Sequence, residues 1–141
     1  MEEAGQPYER VLTDISTGAQ RKIEYLVINP MGKVPALKDG EVTLAESAAI
    51  CAYVAERCPE AKLTPPIGDP QRARFLYWLF FAPGCIEPAM VQIATKIEMN
   101  SVAAGWGDAQ RCSTCSMRRS QKAHGFSART FPLPTSRLAR R

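Results

Sequence analysis

Five residues in the first third of the chain carry groups that could contact a ligand. Lys33, Val34 and Pro35 are followed by the pair Glu46-Ser47, which opens an alanine-rich segment. At a helix start, the Ser47 hydroxyl and the unpaired backbone N–H groups suit a carboxylate, and Glu46 offers a counter-charge for an amino group. Each feature also has an ordinary explanation: a helix cap, a solvated lysine, and a loop-to-strand junction.

The five cysteines form a second group of reactive side chains. An odd number does not make a disulfide framework. Cys112 and Cys115 have the Cys-x2-Cys spacing of a metal site, with His124 downstream, but zinc takes four ligands and a second close pair is absent. We therefore expect no metal. The other three are expected to be structural, the first of them in the core: Cys51, Cys58 and Cys85.

The elements expected to position the first group form a small α/β module. Tyr8–Ile15 is strand-like, and Ile23–Ile28 is a short apolar segment that is helical or irregular. Asp39-Gly40 marks a hairpin turn between the short strands 34–37 and 42–44. A helix follows at Glu46–Arg57, and its apolar stripe consists of Ile50, Tyr53 and Val54.

A helical region follows the α/β module. Residues 59–69 are rich in proline, as linkers are. Asp69 is a helix N-cap, and Pro70 takes the first helical position, where its missing N–H has no cost. The pattern continues toward Asn100 but must kink or break at two prolines, Pro83 and Pro88.

Composition bounds the class of protein. The chain has 141 residues, of which 45% are hydrophobic and 23% charged, and this excludes a mostly disordered or collagen-like chain. The longest apolar stretch, Phe75–Ile86, is too short for a membrane span. No secretory leader is apparent, and with the odd cysteine count this favours a reducing, cytoplasmic location.

Two segments together resemble a known family. Segment 29–37 (Asn-Pro-Met-Gly-Lys-Val-Pro-Ala-Leu) and segment 46–50 (Glu-Ser-Ala-Ala-Ile) are similar to the glutathione-binding core of the cytosolic, bacterial-type glutathione S-transferases. Met1–Glu9 resembles the end of the family's first helix, and residues 69–78 resemble the opening of its helical domain. The resemblance covers residues 1–111.

The resemblance implies a fold and a reaction. Residues 1–58 would form a thioredoxin-like domain, 59–69 a linker, and 70–111 the beginning of an all-α domain. The Val34-Pro35 bond would be cis, with Val34 pairing with the cysteinyl backbone of glutathione. Ser47 would hold the γ-glutamyl carboxylate, and Lys33 would pair with the glycine carboxylate or donate to the peptide. Glutathione would be the co-substrate, its thiolate attacking an electrophile in a cytoplasmic homodimer.

The family's catalytic residue finds no counterpart here. In the family a Tyr, Ser or Cys before the first helix hydrogen-bonds the glutathione sulfur, and this chain begins after that point. Tyr8 lies beyond the first helix and does not match. No catalytic residue is assigned, so we expect a chain truncated at its N-terminus, lacking the first strand, with impaired or absent activity.

The last thirty residues differ from the rest. The net charge is +4, yet residues 112–141 hold seven basic residues and no acid, whereas 1–111 are net acidic. Residues from Cys112 onward can be translated back into codons that the genetic code permits. When one G is added and these codons are read one base earlier, they can encode a peptide that resembles the family's next helix. We therefore hypothesise a frameshift between Arg111 and Cys112, followed by a disordered basic tail. The nucleotide sequence tests this directly.

A second interpretation keeps the tail as a functional region. The chain would then be a non-catalytic, thioredoxin-like binding or assembly module, with the basic tail contacting nucleic acid or another anionic partner. Few aromatic side chains accompany the charges, which disfavours nucleic acid. Salt-sensitive retention on nucleic acid, lost on removing residues 112–141, would support it.

Overall fold

A computed structural model describes residues 1–122. Within these residues, short loops and 3-10 turns join a pair of strands and five α-helices. In chain order they are α1 (Ile23–Leu26), β1 (Ala36–Asp39), β2 (Val42–Ala45), α2 (Ser47–Arg57), α3 (Gln71–Phe81), α4 (Glu87–Thr95) and α5 (Ala109–Lys122). The expected order, an α/β module followed by helices, is confirmed.

The hairpin has the expected turn and a register that leads directly into a helix. β1 and β2 are antiparallel, with Asp39 opposite Val42 at the turn and Ala36 opposite Ala45 at the open end. Two residues, Gly40 and Glu41, make the connection, and Gly40 has the positive φ that this kind of tight turn requires. α2 begins two residues after β2 and packs against both strands.

The small core lies where α2 meets the hairpin and the N-terminal turn. Val54 and Cys58 from the end of α2 are buried together with Ala4. Five partly buried apolar residues pack against them: Leu37, Ile50, Tyr53, Ala61 and Leu63. The predicted apolar stripe of α2 is therefore confirmed. Ala61 and Leu63 belong to the expected linker, so a portion of that linker packs on the core.

The strand expected over Tyr8–Ile15 does not form. This segment is irregular up to a 3-10 turn at Ile15–Thr17, and the described sheet has only the strands β1 and β2. Val11 and Leu12 are exposed. A β-branched sequence becomes a strand only where a neighbour accepts its backbone hydrogen bonds, and residues 1–122 supply none here.

The helical region begins after Asp69 as expected and is interrupted at Pro83, but the expected break at Pro88 is wrong, because Pro88 lies in the first turn of α4. The Asp69 carboxylate accepts the Gln71 N–H at 2.7 Å, so it caps α3 as expected. α3 ends at Phe81, and the five residues Ala82–Ile86, which include Pro83, form a π-helical turn before α4. The absence of an N–H on proline explains the wider turn.

One helical stretch is longer than the apolar run Phe75–Ile86 that was found in the sequence. Taken as a single stretch of 25 residues, Gln71–Thr95 has the length and composition of a membrane-crossing helix. The prediction from Phe75–Ile86 alone missed this because the helix extends that run on both sides. Length and composition by themselves do not assign this stretch to a membrane.

The expectation of a disordered tail is wrong for residues 112–122, which are helical. α5 runs through them, and the Asp108 side chain caps it by accepting the Arg111 N–H at 2.8 Å. The rest of the basic tail, including His124, lies outside the described residues. By internal packing the chain divides into two compact units, Met1–Glu87 and the segment from Pro88 onward. The domain division expected at residues 59–69 stays a prediction.

Candidate functional site

The hairpin brings the two sequence segments of the candidate site to one end of the sheet. Ala36 is the first residue of β1 and pairs with Ala45, the last residue of β2. Val34-Pro35 and Glu46-Ser47 therefore leave the sheet at the same end. All five candidate residues are exposed: Lys33, Val34, Pro35, Glu46 and Ser47. Two segments separated by ten residues thus present one surface.

Val34 presents an unused backbone edge. The Val34-Pro35 peptide bond is cis, as the resemblance implied, and Val34 is 47% exposed. Within residues 1–122 neither the N–H nor the C=O of Val34 has a backbone partner. Val34 lies two residues before β1, and an exposed backbone segment of this kind can pair with an extended peptide as with an added strand.

The peptide group before Val34 is held by two side chains that the sequence analysis did not single out. The Lys33 carbonyl accepts from the Tyr25 hydroxyl at 2.6 Å and from the Asn29 amide at 2.7 Å. The Asn29 side chain also accepts the Met31 N–H at 3.1 Å, closing a tight turn. Asn29 is only 4% exposed. The Asn-Pro turn signal was visible in the sequence, but the hydrogen bond from the Asn29 amide to the Lys33 carbonyl was not.

Gly32 allows this loop to approach the preceding turn. Its φ is +60°, and a Cβ there would lie 3.0 Å from the Gln20 carbonyl oxygen and 3.2 Å from the Leu26 side chain. Glycine alone accommodates both the left-handed backbone and the close contact. Beside it, the buried Gln20 side-chain oxygen has no hydrogen-bond donor among the described residues. No sequence signal pointed to Gln20.

The second segment forms the N-terminus of α2. The first backbone bond of the helix runs from the Ile50 N–H to the Glu46 carbonyl at 2.9 Å, so the N–H groups of Ser47, Ala48 and Ala49 have no acceptor within the helix. The Glu46 side chain makes no cap bond. The capping explanation of Glu46-Ser47 is therefore wrong for Glu46, and these donors are available to solvent or a ligand.

Glu46 has a backbone conformation that is unusual for a residue with a side chain. Its φ is +69° and its ψ 117°, a region that favours glycine and costs on the order of 1–3 kcal/mol for other residues. The Glu46 carboxylate and the Lys33 ammonium form no ion pair in the described residues. One anionic and one cationic group therefore remain available on the surface that carries Val34 and Ser47.

The cysteines differ in one respect from expectation. Cys58 is buried in the core, but Cys51 is exposed on α2, so its predicted core position is wrong. Cys51 follows Ile50 by one residue, which rotates it about 100° away from the packed face. Among residues 1–122 no three His, Cys, Asp or Glu side chains come together as a metal site would require.

Comparison with known proteins agrees with this geometry. The family model described as "Glutathione S-transferase, N-terminal domain" matches residues 1–56, which include both segments of the site. Glutathione S-transferase hmp2 of Hypomyces subiculosus is 48% identical over 64 residues, covering 45% of this chain and 30% of the relative. Glutathione S-transferase 1 of Zea mays is 49% identical over 57 residues, covering 40% of this chain and 27% of the relative.

A solved structure extends the similarity beyond residue 56. A sphingomonad glutathione S-transferase complexed with glutathione is 28% identical, with a TM-score of 0.62, covering 86% of this chain and 60% of the other. The chain thus matches less than two thirds of the length of each of these proteins. The described fold is a thioredoxin-like region with a small sheet, followed by helices. Residues 1–56 thus match the N-terminal domain of the glutathione S-transferases, and the described residues have a fold similar to that of these proteins.

Proposed function

We propose that the surface at the open end of the hairpin binds glutathione. The observation that carries the proposal is the unpaired Val34 backbone beside the uncapped N-terminus of α2. Val34 would add the cysteinyl residue as a short strand, and Ser47 with its neighbouring N–H groups would hold the γ-glutamyl carboxylate. Glu46 would pair with the γ-glutamyl ammonium group, and Lys33 with the glycine carboxylate.

The charges of the ligand and the site match in sign and order. Glutathione carries a carboxylate and an ammonium group at one end and a carboxylate at the other. The site offers Ser47 and Glu46 at the start of α2 and Lys33 before the edge of β1. Pro35 would contact the ligand at the end of the strand. The sphingomonad glutathione S-transferase is complexed with glutathione in its solved structure, which supports the same ligand class.

For the whole protein we propose the family reaction, in which glutathione thiolate attacks an electrophile in a cytoplasmic homodimer. We assign the activation of the glutathione thiol to none of the described residues. Tyr8, a phenol near the N-terminus, donates to the Glu2 carboxylate at 2.9 Å, and this hydrogen bond raises the Tyr8 pKa. A phenol engaged in this way does not donate to a sulfur. We therefore propose binding without efficient conjugation.

Calorimetric titration with S-hexylglutathione tests binding independently of the thiol. We expect Ser47→Ala to weaken binding about tenfold, which corresponds to the loss of a charged hydrogen bond. Combining it with Glu46→Ala should remove measurable binding. Glu41→Ala is the matched control, because Glu41 is an exposed carboxylate at the opposite end of the hairpin. Equal affinity of the double variant and the parent chain would refute the assignment.

A separate assay tests catalysis. Conjugation of glutathione to a chlorodinitrobenzene, followed by absorbance, should proceed with this chain at close to the uncatalysed rate. Saturable turnover that disappears in the Ser47→Ala, Glu46→Ala variant would contradict the proposal that activity is impaired. It would leave the binding site itself supported.

A further inference from the structure

Two cysteines in α5 share one face of a helix and are not used by the glutathione site. Cys112 and Cys115 are one helical turn apart. Their helix is anchored at its start, where the Cys112 N–H donates to the Asp108 carbonyl at 3.0 Å and the Asp108 side chain caps the Arg111 N–H. The metal interpretation of this pair has no third ligand among the described residues.

The two thiols have different environments. Cys112 is 6% exposed, and its Sγ lies 3.3 Å from the Trp106 carbonyl oxygen, to which the thiol donates. The Trp106 ring is itself held by a hydrogen bond from its Nε1 to Gln92 at 3.2 Å. Cys115 is half-buried and is the more accessible of the pair. The Cys115 thiol can therefore react with a reagent from solvent, and the buried Cys112 thiol lies one helical turn away.

The spacing places the two sulfurs within reach of each other. Residues three apart on a helix have Cβ atoms about 5–6 Å apart. A disulfide needs Cβ atoms about 3.5–4.5 Å apart, so a small local adjustment of the first turns of α5 is required. A bond formed with such an adjustment is readily reduced again.

We propose that Cys112 and Cys115 form a reversible intrahelical disulfide, oxidised by the disulfide of a small thiol such as glutathione disulfide. The Cys115 thiolate attacks one sulfur of the reagent, whose S–S bond breaks and releases one thiolate. The Cys112 thiolate then attacks the Cys115 sulfur and releases the second thiolate. The reagent is reduced to two thiols, which take up the two protons, and the protein pair is oxidised.

Peptide mapping of the full chain tests the proposal directly. The chain is incubated with glutathione disulfide, blocked with an alkylating reagent and digested with trypsin. Cleavage after Arg111 and Arg118 gives a peptide that contains both cysteines of the pair and no other. We expect this peptide to be lighter by two hydrogen atoms and unalkylated, and to return to the alkylated form after treatment with excess reduced glutathione.

Cysteine variants test whether Cys115 reacts with the reagent before Cys112 does. Cys115→Ser should slow the reaction of Cys112 with the reagent about tenfold, because the buried thiol must then meet it alone. Cys51→Ser is the matched control on another helix and should leave the pair unchanged. Stable glutathione adducts on both cysteines, or full alkylation of the peptide, would overturn the proposal. The Glu46→Ala, Ser47→Ala variant should oxidise normally, so failure of the glutathione site is distinguishable.

Discussion

Helices α2 and α3 have the same length and opposite degrees of burial. Each has 11 residues. α2 is rich in alanine, yet it buries Ala48, Val54 and Ala55, whereas α3 has five aromatic residues and buries none of its residues. The difference shows that packing partners, and not apolar composition, decide which helix carries the core.

The partners of the two helices explain the difference. α2 lies against both strands of the hairpin, so small residues bring it close and Val54 fills the space between them. The rings of α3 contact each other instead, with centroids of Tyr77, Trp78 and Phe81 between 5.1 and 5.4 Å apart. Such ring pairs add stability locally but leave much of the apolar surface uncovered.

Shortening one apolar side chain in each helix should give the largest contrast. Val54→Ala removes two buried carbon atoms and leaves a cavity, so we expect a loss of about 2.5 kcal/mol in the free energy of unfolding. Phe80→Ala removes a larger side chain that is 60% exposed, so it should change the free energy of unfolding by less than about 0.5 kcal/mol. Urea denaturation measures both. Similar losses would mean that α3 is covered in solution.

A second contrast concerns two asparagine turns. Asn29→Ala removes a buried amide that holds the Lys33 carbonyl, and we expect a loss of about 2 kcal/mol. Asn100 accepts the Val102 N–H in a similar but exposed turn at 2.9 Å, so Asn100→Ala should cost less than about 0.5 kcal/mol. Thermal unfolding compares them. Equal effects would show that burial of the Asn29 turn contributes nothing.

The link between α2 and α3 is polar and should have a smaller effect. The Arg72 guanidinium donates to Glu56 on α2 and to the Pro65 carbonyl, each at 2.8 Å. We expect Arg72→Ala to cost about 1 kcal/mol, mainly through the carbonyl bond, because the Glu56 carboxylate is largely exposed and screened. Glu56→Gln should cost less than half of that. A larger loss for Glu56→Gln in denaturant titrations would reverse this ranking.

The smallest effect concerns the contact of α2 with the hairpin turn. The Tyr53 hydroxyl donates to the Asp39 carboxylate at 2.8 Å, and this hydrogen bond raises the Tyr53 pKa above its usual value. Its stabilising effect is therefore complete below the pKa of an unfolded tyrosine, about 10, and is lost as the pH rises through the folded value. Phenolate absorbance should show two late-titrating groups, Tyr8 and Tyr53, and Tyr53→Phe should remove one of them.

The matched variant for that titration is Asp39→Asn. It keeps an acceptor for Tyr53 but removes the negative charge that opposes phenolate formation. The pKa of Tyr53 should move toward its usual value, whereas the raised pKa of Tyr8 should stay where it was. If the absorbance curve stays where it was, the carboxylate is not the cause of the raised pKa.

Local patterns were sufficient to predict most elements and the site segments. The hairpin turn, the cap at Asp69 and the break at Pro83 follow from the conformations of single residues, which hold in any surroundings. The site residues at 33–35 and 46–47 were found from their spacing and their resemblance to a family. The supporting bonds from Tyr25 and Asn29 to the Lys33 carbonyl were not, because no residue pattern encodes where a loop folds back.

The errors share one physical reason. Strand formation at residues 8–15, the burial of Cys51 and the end of order near residue 112 all depend on what lies beside the segment. The amino-acid sequence by itself determined turns, caps, helix breaks and the charged groups available for a ligand. Only the tertiary structure decided which strand finds a partner, which face of α2 is covered and which carbonyls are held, because these require contacts between residues distant in the chain.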